Sequence, residues 1–331
     1  MSLHTPLCDL LGIKFPIIQA GMGWDKEGMT TPPEMVAAVS NAGGLGCIGG
    51  SSIRPEVIRE RIRAVRKLTD KPFGVDITLP KMEDVKIPDP DEVHKEIEEK
   101  VPILIIGLGD TAEVVPLAHE RGMLVMALAG AVKHALSHAR KGADVIIAQG
   151  YEAGGHTGTI GNFPLIPQIV DAIRPKPVVA AGGISDGRGV AAALALGAVG
   201  VWCGTTFLVT QEGGINPIYK KQILNGSSED FVRTAYTSGH FARHYRSDTI
   251  KAWMASGLDA MPTPYQGNAM DEVRRAAEAA NRVDVLHVPG GQVAGMLSEE
   301  RNNVPAKEIV DRMVSEASQI LNDLRAKFVG A

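Results

Sequence analysis

The chain has 331 residues, a hydrophobic fraction of 44%, and 34 basic against 38 acidic residues, which gives a net charge of −4. This hydrophobic fraction excludes disorder for most of the chain, and the absence of a long basic run argues against nucleic acid or an anionic membrane as the main partner. The length fits two domains or one (β/α)8 barrel with an insertion.

The cysteines and the N-terminus indicate the compartment. Cys8, Cys47 and Cys203 are far apart and form no CxxC motif, so the sequence supports neither a disulfide framework nor a zinc site. The opening segment MSLHTPLCDLLGIKFP lacks the basic and apolar regions of a signal peptide. We therefore expect a reduced, cytoplasmic setting. The oligomeric state stays open, a homodimer included.

Eight short apolar runs, taken in chain order, predict buried strands. Their residues do not alternate between apolar and polar, which is typical of parallel strands buried on both faces. The runs are PIIQA (16–20), GLGCIG (44–49), FGVDITL (73–79), ILIIG (103–107), LVMAL (124–128), DVIIAQG (144–150), PVVAAGG (177–183) and GVWCGTTFL (200–208).

Helical patterns fill most of the gaps between these runs. RPEVIRERIRAVRKL (54–68), for example, repeats its apolar residues with the helical period. Residues 189–211 carry no charge, but Gly197 and Gly200 interrupt them, so we predict a buried helix, a turn and a strand instead of a membrane span. Eight strand–helix units favour a closed (β/α)8 TIM barrel.

The repeat of strand and helix patterns ends after about residue 212. The following block is richer in polar and aromatic residues, contains no buried-strand run, and looks helical within 215–226 and over 271–281. We predict a barrel domain formed by 1–212 and 290–331, and an inserted, mainly helical lid domain at 213–289 that contacts substrate. This segment is called the insert below. The final helix is predicted over about 305–327.

Glycines cluster where the predicted strands end, which is the edge that holds the active site in (β/α)8 enzymes. Loops after the seventh and eighth strands usually bind phosphate through backbone amides, and glycine lets those amides approach an anion. Neither of these two loops carries the GxxxxGK[ST] of a P-loop or a GxGxxG between strand and helix, so a nucleotide held by a Rossmann motif is not expected. The candidate positions are Gly21 and Gly23 after the first strand, Gly154 and Gly155 after the sixth, Gly182 and Gly183 after the seventh, and Gly204 and Thr205 within the eighth.

His156 is the main catalytic candidate. Glycines frame it in the sequence GYEAGGHTG (150–158), so its imidazole can be presented to an open site, where it can take or give a proton near neutral pH. Glu152 either orients this loop or is solvated, and Trp24 is a candidate lining residue. His240 and His244 of the insert are weaker candidates for substrate contact. No spacing suggests a metal, and no GxSxG suggests a serine nucleophile.

Taken together, these motifs resemble the nitronate monooxygenase (2-nitropropane dioxygenase) family of FMN-dependent barrels. The resemblance covers about 16–210 and 290–299, and it extends to flavin-dependent enoyl-acyl-carrier-protein reductases and CoA-ester oxidoreductases. It rests on PIIQAGMG, NAGGLGCIGG, FGVDITLP, QGYEAGGHTG, VVAAGGISDGRG, GVWCGTTFL and GGQVAGML.

The resemblance implies FMN as the cofactor and assigns residues to its parts. His156 would be the active-site histidine, beside Gly154 and Gly155 near the flavin ring. The ring would be lined by Gly21, Met22 and Gly23, its polar edge bonded by Asp76 and Gln149, and its phosphate region held by Ala181, Gly182, Gly183, Gly204 and Thr205. Relatives usually have Asn at the position of Asp76, and an ionised Asp can only accept hydrogen bonds. Some also carry a Lys after the fifth strand, where this chain reads MALAGA.

Two functions follow from the resemblance. The first is oxidation of a small nitronate by O2, with His156 binding the anion or removing a proton from a neutral nitroalkane. The alternative is NAD(P)H-dependent reduction of an enoyl thioester or a similar acyl-CoA, for which Arg233, Arg243, Arg246 and Lys251 of the insert would meet a CoA phosphate. A flavin-free binding barrel is a third class, but it leaves the glycine-rich rim without a purpose.

Overall fold

Eight parallel strands form a (β/α)8 TIM barrel. The computed structural model describes residues 3–23, 30–51, 53–79 and 101–329, so Trp24 lies outside the described residues. All eight predicted strands are confirmed. They are β1 (Ile17–Gln19), β2 (Gly46–Gly49), β3 (Phe73–Thr78), β4 (Ile103–Leu108), β5 (Leu124–Ala129), β6 (Val145–Gln149), β8 (Val178–Ala181) and β9 (Gly200–Cys203), while β7 (Gly155–His156) lies outside the barrel sheet.

The barrel closes between β1 and β2, its first two strands. Strand β1 pairs with β9 on one side and meets β2 on the other through a parallel bridge between Ile18 and Leu45. The buried Gln19 side chain strengthens this seam, because its Oε1 accepts from the Cys47 amide at 3.0 Å and its Nε2 donates to the Cys47 carbonyl at 3.1 Å. A side-chain amide thus continues the hydrogen bonding that a three-residue strand cannot supply alone.

Helices cover the outside of the barrel, and their ends follow from local sequence. The helix Gly187–Ala195 begins at Asp186, whose carboxylate accepts from the Arg188 and Gly189 amides. The helices are Pro6–Leu11, Pro33–Asn41, Pro55–Leu68, Val114–Glu120, Val132–Arg140, Asn162–Ile173, Gly187–Ala195, Thr205–Leu208, Pro217–Asn225, Asp248–Ser256, Tyr265–Ala279, Glu299–Asn302 and Ala306–Leu324, with 3-10 turns at Ser228–Asp230 and Gln292–Met296 and a π-turn at Arg325–Val329.

The predicted eighth strand is too long. Strand β9 ends at Cys203, and the segment Thr205–Leu208 is a short helix. Parallel pairing stops there because β1 itself ends at Gln19, the partner of Cys203. Gly204 and Thr205 therefore follow the strand instead of lying within it, which places their backbone at the rim of the barrel.

The uncharged stretch 189–211 folds as predicted, into a helix, a turn and strand β9. Within the described ranges, no helix combines the length and the apolar character needed to cross a membrane. Cys8, Cys47 and Cys203 are free and buried.

The insert contains two strands that the sequence did not predict. Strands β10 (Phe231–Thr234) and β11 (Ala242–Tyr245) form an antiparallel hairpin, and β11 also pairs with β7. This pairing sets Ala242 opposite His156 and Arg243 opposite Gly155, so the hairpin extends the loop that follows β6. Phe231, Leu286 and Val288 contribute to a separate apolar cluster beneath the hairpin.

Candidate active site

The predicted site residues gather at one end of the barrel. Those on the barrel strands lie near or just beyond the carboxyl end of a parallel strand, which is the position of catalytic groups in this fold, and Gly154, Gly155 and His156 lie in the loop after β6. Gly21, Met22 and Gly23 follow β1, Asp76 lies near the end of β3, Gln149 ends β6, Ala181, Gly182 and Gly183 end and follow β8, and Gly204 and Thr205 follow β9.

Asp76 lies inside this end of the barrel. Its side chain is 6% exposed, and its Oδ1 has no hydrogen-bond partner among the described residues. Glycines surround it, because a Cβ on Gly21 would overlap the Asp76 Cβ and a Cβ on Gly107 would lie 2.8 Å from Oδ1. Burial raises the pKa of Asp76 well above its ordinary value, and the nearby backbone amide of Gly107 only partly opposes this rise.

The turn after β8 is held in an unusual backbone conformation. Gly182 and Gly183 have φ of 91° and 71°, which favour glycine. Asn162 donates from Nδ2 to the Gly182 carbonyl, and the Glu152 carboxylate accepts from the Asn162 amide at 3.1 Å through each oxygen. Glu152 therefore orients backbone, as one of its two expected roles requires, and through Asn162 it is linked to the turn after β8.

The segment that returns from the insert packs directly on the rim. Gly291 donates its amide to Oγ1 of Thr205 at 2.9 Å. A Cβ on Gly154 would lie 2.7 Å from the Gly291 nitrogen, so Gly154 gives room to backbone at this point. Gly155, in contrast, has φ of 65° and no atom within 4 Å of a Cβ position, so its face is open.

Met22 and Gln149 complete the rim. The Met22 carbonyl accepts from Thr31 Oγ1 at 3.2 Å, and the Met22 sulfur would lie 3.1 Å from a Cβ on Gly204. Gln149 is half-buried at the end of β6. Its side-chain amide carries both a donor and an acceptor.

His156 is exposed in the mouth of the barrel, where the insert reaches it. Its Nε2 lies 3.0 Å from Oγ of Ser238, a residue of the hairpin loop between β10 and β11. The ring centroid of His240 is 6.2 Å away. The surrounding protein withdraws water from the ring, and this desolvation, with a smaller contribution from His240, lowers the pKa of His156. A neutral imidazole at physiological pH can accept a proton.

Arg243 does not lie where a CoA phosphate could meet it, which corrects that expectation. The side chain is 2% exposed, because its guanidinium donates from Nε to Ala153 O at 3.1 Å, from Nη1 to Phe231 O at 2.7 Å and from Nη2 to Tyr151 O at 2.7 Å. The guanidinium also covers the Tyr151 ring at 4.4 Å. It therefore fastens the insert to the loop that presents His156.

His244, the other insert histidine named as a candidate for substrate contact, lies on strand β11. It is buried, its Nδ1 has no partner among the described residues, and its ring packs edge-on against His287 at 5.5 Å. Burial first, and the neighbouring His287 and His156 next, lower the pKa of His244 well below its ordinary value. His240 is exposed beside His156 and stays a candidate.

Sequence reasoning missed Ser238 and the structural role of Arg243. Ser238 lies in a hairpin loop whose flanking strands have four residues each, too short to give a clear alternating pattern. Arg243 looked like a surface cation because arginine is seldom fully buried. Only the three-dimensional pairing of β11 with β7 brings both residues to the His156 loop.

Comparisons with known proteins agree with this arrangement. The sequence profile of a family described as nitronate monooxygenase matches residues 4–316. A probable nitronate monooxygenase of Staphylococcus saprophyticus is 33% identical, over 97% of this chain and 100% of its own length. A probable nitronate monooxygenase of Staphylococcus haemolyticus is 31% identical, over 98% of this chain and 100% of its own.

Solved structures show the same fold over nearly the whole chain. FabK from Thermotoga maritima superposes with a TM-score of 0.86 at 35% identity, and the match covers 98% of this chain and 99% of FabK. Nitroalkane oxidase from Streptomyces ansochromogenes superposes with a TM-score of 0.85 at 28% identity, covering 96% of this chain and 99% of the oxidase.

Proposed function

Because the chain belongs to the nitronate monooxygenase family, we propose that it is an FMN-dependent enzyme that oxidises small alkyl nitronates with O2. The family and its structural neighbours imply a flavin and an oxidoreductase. The observation that supports the proposal most directly is the position of His156, an exposed imidazole in the loop after β6 whose Nε2 lies 3.0 Å from Oγ of Ser238. Desolvation lowers its pKa, which favours the neutral ring.

The residues at the rim fit a flavin. Asp76 and Gln149 offer polar groups at the inner edge, and one Asp76 oxygen is buried without a partner among the described residues. The positive-φ turn of Gly182 and Gly183 turns backbone toward the same mouth, where amides can bind phosphate. When bound, the flavin supplies the electron transfer between substrate and O2.

His156 would act on the substrate itself. The neutral imidazole can take the proton from the carbon beside a nitro group, and the resulting imidazolium can hold the nitronate anion by a charge-assisted hydrogen bond. Ser238 fixes the orientation of the ring through Nε2, which leaves Nδ1 as the remaining nitrogen for this chemistry. A nitronate supplied as the anion needs only the binding role.

The charges of the insert favour a small substrate over a CoA ester. The cations expected to meet a CoA phosphate already have protein partners. Arg243 binds three carbonyl groups, Arg233 donates to Thr157 O and covers the Phe241 ring, Arg246 pairs with Asp230, and Lys251 pairs with Asp248. A diphosphate would have to displace the three buried contacts of Arg243, whereas a small nitronate would not; the exposed pairs of Arg246 and Lys251 oppose it only weakly.

The second candidate is NAD(P)H-dependent reduction of an enoyl thioester. It is supported by the motif GGQVAGML, which resembles the reductase branch and which packs against Gly154 and Thr205 at the rim. Here His156 would donate a proton to the substrate or orient its thioester.

One anaerobic experiment separates the two candidates. The purified enzyme is mixed without O2 with propionate 3-nitronate, NADH or NADPH, and the flavin absorption band is followed. We expect the nitronate to bleach the band and air to restore it, while the nicotinamides act slowly. Rapid bleaching by NADH or NADPH and none by the nitronate would favour the reductase and overturn the proposal.

A further inference from the structure

The buried side chain of Asp76 packs against the backbone of two glycines. It lies near the end of β3 with 6% exposure, between Gly21 beyond β1 and Gly107 on β4. Any larger residue at either glycine would collide with it. Its Oδ1 nevertheless has no hydrogen-bond partner among the described residues. The described residues therefore leave one oxygen of a buried carboxyl group open to a further partner.

The surroundings of Asp76 do not stabilise a negative charge. Among the described residues no lysine or arginine acts on it, and the Gly107 amide is the group that favours the carboxylate. The segment after β1 and strand β4 contribute glycines, and the thiol of Cys47 on β2 lies close enough to respond to Asp76. Burial and the proximity of Asp76 raise the pKa of Cys47, so the thiol stays neutral and supplies no compensating charge. An ionised carboxylate here would be buried and unpaired, which is costly.

We infer that Asp76 is kept as a neutral carboxylic acid, and that its hydroxyl donates a hydrogen bond to the polar edge of the bound flavin while its carbonyl oxygen accepts one. This inference rests on the flavin of the proposed function, but not on the nitronate. A protonated carboxyl group has one donor and one acceptor, as a side-chain amide does. A protonated Asp76 can therefore offer the flavin the same pair of groups that a side-chain amide would offer.

Two substitutions distinguish a neutral acid from a carboxylate. Asp76→Asn replaces one donor–acceptor pair by another, so FMN affinity at pH 7 should stay within about threefold of wild type, whereas Asp76→Ala should weaken it about tenfold or more. An ionised Asp76 could only accept hydrogen bonds, so the flavin groups that contact it would be donors. The NH2 group of Asn would then face one of those donors without forming a hydrogen bond. A loss for Asp76→Asn as large as that for Asp76→Ala would overturn the inference.

Infrared difference spectroscopy gives a second readout that involves no turnover. The wild-type holoenzyme should show the carbonyl stretch of a protonated carboxyl group at neutral pH, and Asp76→Asn should lose it. No difference between the two spectra in that region would contradict the neutral acid. Since substrate is absent from both measurements, a failure to oxidise nitronates would refute the proposed reaction and leave these results unaffected.

Discussion

His156 is presented by a loop whose glycines give it room, so its loss should affect chemistry and spare cofactor binding. We expect His156→Ala to remain folded and yellow. Turnover of a neutral nitroalkane should fall by about 10²–10⁴-fold, the usual worth of a positioned acid or base. Turnover of a preformed nitronate should fall less, because no proton is removed. Steady-state assays on both substrates check this, and near wild-type rates on both would make the histidine structural.

Ser238 should influence the same step from the other side of the ring. Removing its hydroxyl in Ser238→Ala deletes the hydrogen bond to Nε2 of His156, which is worth about 1 kcal/mol, or roughly fivefold in kcat/KM for a neutral nitroalkane. The FMN content and the melting temperature should not change. Ser238→Thr keeps a hydroxyl and is the matched control. Equal losses for both variants would indicate a steric effect instead of a hydrogen bond.

At the scale of secondary structure, the hairpin β10–β11 and the His156 loop form one small sheet, and Arg243 locks it. Arg243→Met should destabilise the protein by on the order of 3 kcal/mol, because each buried carbonyl left without a donor costs about 1–3 kcal/mol. Arg246→Met is the control. Its side chain is 41% exposed and its Nη2 lies 3.7 Å from Asp230, a contact worth about 0–1 kcal/mol.

Urea denaturation of the two variants measures this difference. Arg243→Met should shift the midpoint far more than Arg246→Met, and it should also lower the nitroalkane activity by releasing the His156 loop. Similar small shifts for both variants would mean that the three carbonyl contacts do not hold the insert to the barrel.

The barrel strands were predictable from the sequence, whereas the hairpin was not. A strand buried on both faces needs a continuous apolar run, and such a run is visible without knowledge of its partners. FVRT and ARHY contain arginines and a histidine within four residues, and they become strands only because β11 pairs with β7 on another segment. The same holds for the site. Its glycines and His156 could be identified from the sequence. The environment of Asp76 could not, because it forms only where β1, β2, β3 and β4 come together in the barrel.

At the scale of the whole molecule, buried histidines should make the protein sensitive to acid. Burial lowers the pKa of both His244 and His287, so the folded protein binds fewer protons than the unfolded chain once the pH falls below the ordinary histidine value of about 6.5. The free energy of unfolding should therefore be constant above about pH 6.5. It should decline as the pH falls from there toward the lowered histidine pKa values of the folded protein.

Thermal unfolding between about pH 5 and 8 checks this expectation. His244→Gln removes one of the two groups and should cost stability near pH 8, where wild type packs a neutral ring against His287 at 5.5 Å. The difference in melting temperature between the variant and wild type should shrink as the pH falls. A constant difference over the whole range would show that His244 does not protonate on unfolding.

The pairing of Ala242 with His156 and of Arg243 with Gly155 also limits how the fold can be recombined. The insert is not an exchangeable cap, since one of its strands shares backbone hydrogen bonds with the loop that holds the imidazole. A chimera that takes the insert from one relative and the loop after β6 from another must preserve that two-residue register. A slip of one residue would turn the His156 side chain to the opposite face of the sheet. The two segments should therefore be inherited, and engineered, as one unit.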